Sequence, residues 1–133
     1  MAALSQVIEQ QKAVANSFVQ FYYTNMATNR QALGSLYQQN SMYTDTNGAT
    51  HQGVQAIGPV LMKLPKLNFD APSFSIDVQP SNDQNNGMLV FVNGSLTVDA
   101  ETNKIKFSQT FQLMSTGGNN FYIRNDMFRL NVG

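Results

Sequence analysis

The sequence predicts an α+β fold: a cone-shaped roll in which a curved antiparallel sheet wraps around a long N-terminal helix. Two observations carry this prediction. Apolar residues recur every three or four positions in the first third of the chain, and every second position from Phe69 onward. Helical pattern first and a long meander afterwards is the α+β order, not the alternation of a parallel α/β sheet.

The helix comes from Leu4, Val7, Ile8, Val14, Phe18, Tyr22 and Met26, which form one apolar stripe with polar residues between them. A stripe of that length, roughly twenty residues, needs a sheet or bundle to cover it. Asn29 is placed to cap a second, short helix running through Tyr37. Ser41 to Asp45 reads as a short strand, and Asn47-Gly48 as the hairpin turn after it. Val54, Ile57, Leu61 and Leu64 return to helical spacing, interrupted by Gly58-Pro59. Either that helix begins near Pro59 or it is kinked there; the kink is the reading adopted.

In the meander, Phe74, Ile76 and Val78 alternate with Ser75, Asp77 and Gln79. A loop from Pro80 to Gly87 precedes a strand over Met88–Val98. The clearest strand runs from Lys104 to Met114, with Ile105, Phe107, Gln109, Phe111 and Leu113 on one face. Ser115–Asn120 is a turn and Phe121–Val132 the last strand. Strands of about ten residues exceed the usual five or six, so the sheet must twist and curl. Asn93-Gly94 is the expected bulge. Wrapped round a helix, such a sheet leaves a cone-shaped hollow at its open end. On the last strand Phe121, Ile123 and Met127 share one side, and Tyr122, Phe128 and Leu130 the other. A strand apolar on both sides is covered on both sides, here by a second subunit.

Composition narrows the function. The 133 residues fit a single domain spanning 1–133. Eight basic and eight acidic residues cancel, which argues against a nucleic-acid surface and against a polybasic membrane patch. With no cysteine there is no disulfide framework and no thiolate chemistry. Asn and Gln make up 28 residues, so amides supply the solubility that charge does not. Residues 1–18 lack the charged start and apolar core of a signal peptide, and the expected location is cytoplasm or nucleus.

One histidine and scattered acids give no metal set, and nothing calls for a cofactor. Asp45-Thr46-Asn47-Gly48 and Asp83-Gln84-Asn85 have calcium-loop composition, but glycine and the closing glutamate are misplaced, so both read as turns. A hollow cone can also host acid–base chemistry. The available groups are Tyr23, Tyr43, Asp45, His51, Asp77 and Asp126, and their spacing gives no reason to converge. A buried carboxylate of raised pKa beside a tyrosine hydroxyl would revive that reading. The sequence therefore favours a binding protein over an enzyme.

Four segments, in order, resemble the nuclear transport factor 2 family: Phe18 to Tyr23 (FVQFYY), Arg30 to Tyr37 (RQALGSLY), Leu64-Pro65, and Asn125 to Leu130 (NDMFRL). The resemblance spans residues 10–132, with one-residue insertions near Gly48 and Asn103. It implies a homodimer of cone-shaped domains that carries the GTPase Ran, in its GDP form, into the nucleus and touches phenylalanine-glycine nucleoporins at the nuclear pore. In the family an aromatic side chain of Ran enters the cavity, and rim acids pair with Ran's basic residues. Position by position, the rim acids fall on Asp99 and Glu101, with Asp45 standing in for a third. The cavity wall falls on Leu64, Phe69 and Phe128, and the dimer face on Phe91, Thr110 and Met127. This chain departs from the family in places. A tryptophan–glutamate pair is replaced around Tyr43–Thr46, a cavity histidine by Ala71, and two dimer-face methionines by Phe91 and Thr110. A nucleoporin-contacting tryptophan falls on Gln11, and the chain has no tryptophan at all. The alternative implied reading is the small scaffold partner of an mRNA-export receptor, which shares the fold but pairs with a larger chain.

Overall fold

The computed structural model describes residues 3–131. Helix α1, Leu4–Thr28, runs longer than the sequence stripe required. Val7, Ala15, Val19, Tyr22, Tyr23 and Met26 are buried along it, whereas Leu4, at its start, is 65% exposed. The expected second, short helix is a tight 3-10 helix, Arg30–Leu36; it stops one residue short of Tyr37, and the Asn29 side chain does not cap it. Strands β1 (Tyr37–Thr44) and β2 (Thr50–Gln52) form the hairpin across Asn47-Gly48. Helix α2, Val54–Met62, runs through Pro59, so the helix does not begin there. Ile57 and Leu61 are its buried contacts.

Strands β3 (Leu67–Pro80), β4 (Gly87–Val98), β5 (Ile105–Gly117) and β6 (Asn120–Asn131) are the long antiparallel meander. Val132 lies outside the described residues. The six strands lie in the order β2-β1-β6-β5-β4-β3, one curved and unclosed sheet against α1. β1 joins it parallel to β6, a pairing the meander did not announce.

Two local expectations are corrected. No register shift occurs between β4 and β5 at Asn93-Gly94; the irregularity is in β3, where Ala71 to Phe74 bow out between the Asp70–Ser95 and Ser75–Asn93 pairs. Gly94 takes part differently: a Cβ there would come within 2.5 Å of the Phe74 ring and 3.0 Å of the Phe107 ring. Its bare backbone lets Phe74 fold over the sheet. The second correction concerns β6. Leu113 pairs with Ile123 but Gln112 with Asn125, so Arg124 is an extra residue that flips the alternation. Ile123 therefore shares the buried face with Asp126 and Phe128, while Met127 points outward and is 53% exposed. The core contains Tyr22, Tyr43, Phe107, Phe111 and Ile123, all essentially inaccessible.

Candidate functional site

Strand direction decides which loops can act together. β1 and β6 run parallel, β5 opposes β6 and β4 opposes β5. Asp45, after β1, and the Asp99–Asn103 turn, between β4 and β5, therefore sit at the same end of the sheet. The β3 start at Leu67, paired with Val98, is there too.

The acids at this end are held differently. Asp45 is fully engaged: Oδ1 accepts the amides of Asn47 (2.9 Å) and Ala49 (3.0 Å), and Oδ2 lies 2.9 Å from His51 Nε2. The hydrogen bond from His51, assisted by those amides, holds its pKa below the ordinary carboxylate range. The Asp45–Gly48 segment is thus a turn closed on its own carboxylate. Asp99 has a left-handed backbone, φ 52°, unusual outside glycine. Its amide donates to the Lys66 carbonyl (2.8 Å), and Oδ1 accepts the Lys66 amide (3.1 Å). Oδ2 makes no hydrogen bond among the described residues. Glu101 is exposed one turn further on, its amide donating to Val98. Lys104, which follows in the same turn, is drawn aside by Asp70 at 3.0 Å.

The cavity-wall positions separate. Phe69 lines a cavity of about 540 Å³ between α1 and β3, together with Val19, Tyr23, Ala71, Phe74 and Ile76. Phe128 does not reach it; it is 4% exposed and packs edge-on against Phe107, which in turn touches Phe69. Leu64 is half-buried against the core outside that cavity. The proposed dimer residues do meet. Phe91 pairs with Thr110 and Thr110 with Met127, a row across three strands on the outer face. Phe91 (40%) and Met127 (53%) are among the most exposed large apolar residues. Gln11, where the family tryptophan falls, is buried and donates through Nε2 to the Gly87 carbonyl at 3.1 Å. It therefore offers no surface contact.

Of the acid–base candidates, two converge in the core. Asp126 is 1% exposed. Its Oδ1 accepts Gln109 Nε2 (2.7 Å), and its Oδ2 accepts the hydroxyls of Tyr37 (2.8 Å) and Tyr22 (3.3 Å). Tyr23 joins through Gln109 Oε1 at 2.7 Å. Burial pushes the Asp126 carboxyl up to about 7, against the pull of its three donors. The same burial, together with the charge on Asp126, raises the Tyr22, Tyr23 and Tyr37 hydroxyls well above their ordinary value. This is the buried carboxylate beside tyrosine that acid–base chemistry would need, yet it does not line the cavity. Tyr23 does, but its hydroxyl is turned inward and spent on Gln109. Tyr43 is buried with no partner for its hydroxyl among the described residues. Asp77 is exposed on the outer face, opposite Phe91. Sequence reasoning missed Tyr22, Tyr37 and Gln109 as a network. The one visible signal was Gln109, an amide amid an apolar strand face.

The nuclear transport factor 2 (NTF2) domain matches this sequence over residues 14–130. The chain belongs to the nuclear transport factor 2 family. Nuclear transport factor 2 of rice is 50% identical over 121 residues, covering 91% of this chain and 97% of that protein. The structure of the family member from Cryptosporidium parvum superposes with a TM-score of 0.80 at 39% identity, covering 90% and 94% of the two chains. A chain in the Candida albicans Mtr2–Mex67 M domain complex gives a TM-score of 0.73 at 19% identity, over 90% and 93%. That last likeness is one of fold alone. Among the described residues no helix is long and apolar enough to cross a membrane.

Proposed function

We propose that this chain is a nucleocytoplasmic carrier, a single-domain homodimer that binds Ran-GDP and phenylalanine-glycine nucleoporins and moves Ran into the nucleus. The observation that carries the reading is the Asp99 turn: an exposed carboxylate fixed by one oxygen, with the other open, at the same sheet end as Glu101 and Asp45. A basic partner meets three acids there. An aromatic side chain entering beside Phe69 contributes about 1.5–3 kcal/mol by burial. The charge pairs around it set orientation and association rate. Phe128 supports that wall from behind through Phe107, and Leu64 packs against the core nearby. The name nuclear transport factor 2, carried by relatives over almost their whole length, supports the same role. The expected locations are cytoplasm, nucleus and the nuclear pore.

The row Phe91–Thr110–Met127 is the proposed dimer contact, and sedimentation of a Met127→Asp variant as a monomer would bear it out. Nucleoporins bind through apolar residues at the dimer groove, since Gln11 supplies no aromatic ring. No catalytic step is assigned, because the Asp126 network is sealed from the cavity. The second reading, an export-receptor scaffold pairing with a larger chain, draws on the missing tryptophan. Binding to Ran separates the two. Purified protein is expected to bind Ran loaded with GDP and to bind the GTP form far more weakly. Binding to neither form would exclude the carrier role and favour the scaffold.

A further inference from the structure

The arginine that opens the 3-10 helix has an unusual set of partners. Arg30 forms no ion pair among the described residues. Its guanidinium donates only to backbone carbonyls: Nε to Met26 (2.9 Å), Nη1 to Leu61 (3.2 Å) and to Leu64, and Nη2 to Pro65. Met26 and Leu61 lie in the last turns of α1 and α2, where the helix dipole is negative and carbonyls run short of helical partners; the Leu61 carbonyl also accepts the Leu64 amide, at 3.3 Å. One cation thus closes two helix ends. Burial lowers its pKa, but an arginine stays charged in spite of that.

The remaining bonds reach further. Leu64 and Pro65 belong to the connection from α2 to β3, whose next residue is Lys66. The Pro65 carbonyl and the Lys66 N–H are two ends of one planar peptide unit, and in a trans peptide they point in opposite directions. Arg30 grips the carbonyl end, and Asp99 Oδ1 accepts from the N–H end at 3.1 Å. The Lys66 carbonyl then takes the Asp99 amide at 2.8 Å. A single rigid plane therefore stands between the guanidinium and the carboxylate. The left-handed backbone of Asp99 is the kind of local strain that persists only where neighbours enforce it.

We propose that Arg30 is a positioning residue for partner binding: through the Pro65–Lys66 peptide it fixes the loop that orients Asp99, leaving Oδ2 free for a basic group. This rests on the Asp99 turn being the partner-binding site. Lysine cannot replace it, because an ammonium lacks the rigid fork that spans several carbonyls at once.

The test is a double-mutant cycle with an exchange readout. In Arg30→Lys, hydrogen-exchange protection at the Lys66 and Asp99 amides is expected to fall at least about tenfold, while that at the Phe111 amide is unchanged. Binding of Ran-GDP is expected to weaken about tenfold in the wild-type background and less than about threefold in an Asp99→Asn background. Asp99→Asn keeps the acceptor for Lys66 and removes only the charge. Unchanged protection at Lys66, or equal losses of binding in both backgrounds, would overturn the inference. If Asp99→Asn alone binds like wild type, the binding-site reading fails, and exchange at Lys66 alone decides whether Arg30 holds the loop. Should Arg30→Lys not fold, Lys66→Pro removes the N–H that Asp99 accepts and leaves every Arg30 partner in place. It is expected to weaken Ran-GDP binding similarly, and undiminished binding would refute the link.

Discussion

Asp126 and Asp99 are the same residue type put to opposite uses. Asp126 is enclosed by Gln109, Tyr22 and Tyr37, with both oxygens occupied and a carboxyl raised to about 7 by burial. Asp99 is exposed, tethered by one oxygen and open at the other. The core carboxylate specifies an arrangement: its partners come from α1, β1 and β5, so it ties three elements to β6. The surface carboxylate offers charge at almost no desolvation cost, and the fold needs only to aim it. Of these two carboxylates, the one that fixes the fold is fully paired, and the one proposed for a partner is left half-paired.

The strongest way to break the contrast is Asp126→Ala. It removes the carboxylate that Gln109 and two tyrosine hydroxyls share, leaving them only the longer Gln109–Tyr22 (3.2 Å) and Tyr22–Tyr37 (3.4 Å) contacts, and should cost about 3 kcal/mol in denaturant unfolding. Ran-GDP affinity of the folded fraction should hold. Loss of affinity at unchanged stability would erase the distinction. The mirror experiment is Asp99→Lys, expected to weaken Ran-GDP binding by more than about a hundredfold. Sedimentation and melting temperature should stay as in wild type.

Titration sharpens the comparison. Asp126 has a folded-state pKa raised to about 7, above its unfolded value near 3.8, so its ionised form disfavours the fold. Between those values the folded state binds the extra proton. This group's contribution to stability therefore falls as pH rises from about 4 to 7, and stays low above that. Unfolding free energies at pH 5 and pH 8 should differ by on the order of 2 kcal/mol less in Asp126→Asn than in wild type. An identical difference would mean that Asp126 does not take up the proton. Asp45 works in the other direction. Its lowered pKa stabilises the fold above the unfolded value, and that stabilisation disappears as pH falls through the folded one. The smallest effect is expected for Asp45→Asn. With both oxygens already occupied by its own turn and by His51, its loss should weaken Ran-GDP binding by about threefold or less.

Much of this was legible in the sequence, and the limits have physical causes. The α1 stripe and the alternation of β5 are written into neighbouring residues, so period alone locates them. The bulge at Arg124 leaves no such mark, because an inserted residue looks like any other until its partner strand is placed. Its effect is large: it puts Ile123 and Met127 on opposite faces. Gly94 signalled an irregularity, correctly in kind, but the bow is in the facing strand, which needs the glycine's empty side. At the candidate site, Asp99 and Glu101 were singled out by their place in a family pattern. Arg30 was inside another such pattern, yet its partners are backbone carbonyls, which every residue has and no sequence pattern distinguishes. The convergence of Asp126 with Gln109 and Tyr22 depends on register between segments 17 and 104 residues apart.

The position of β6 has one more consequence. It lies between β1 and β5, joining a strand from the start of the chain to one near its end. During synthesis, α1, β1 and β2 are finished long before any strand exists to receive them. β3, β4 and β5 can zip locally by hairpins, but the β1–β2 hairpin gains its place only when β6 emerges. Loop closure across most of the chain then limits the rate. Until that moment the apolar face of α1 and the edges of β1 and β5 are open to wrong partners. A ribosome-bound chain stopped before residue 120 should therefore remain protease-sensitive throughout its first fifty residues.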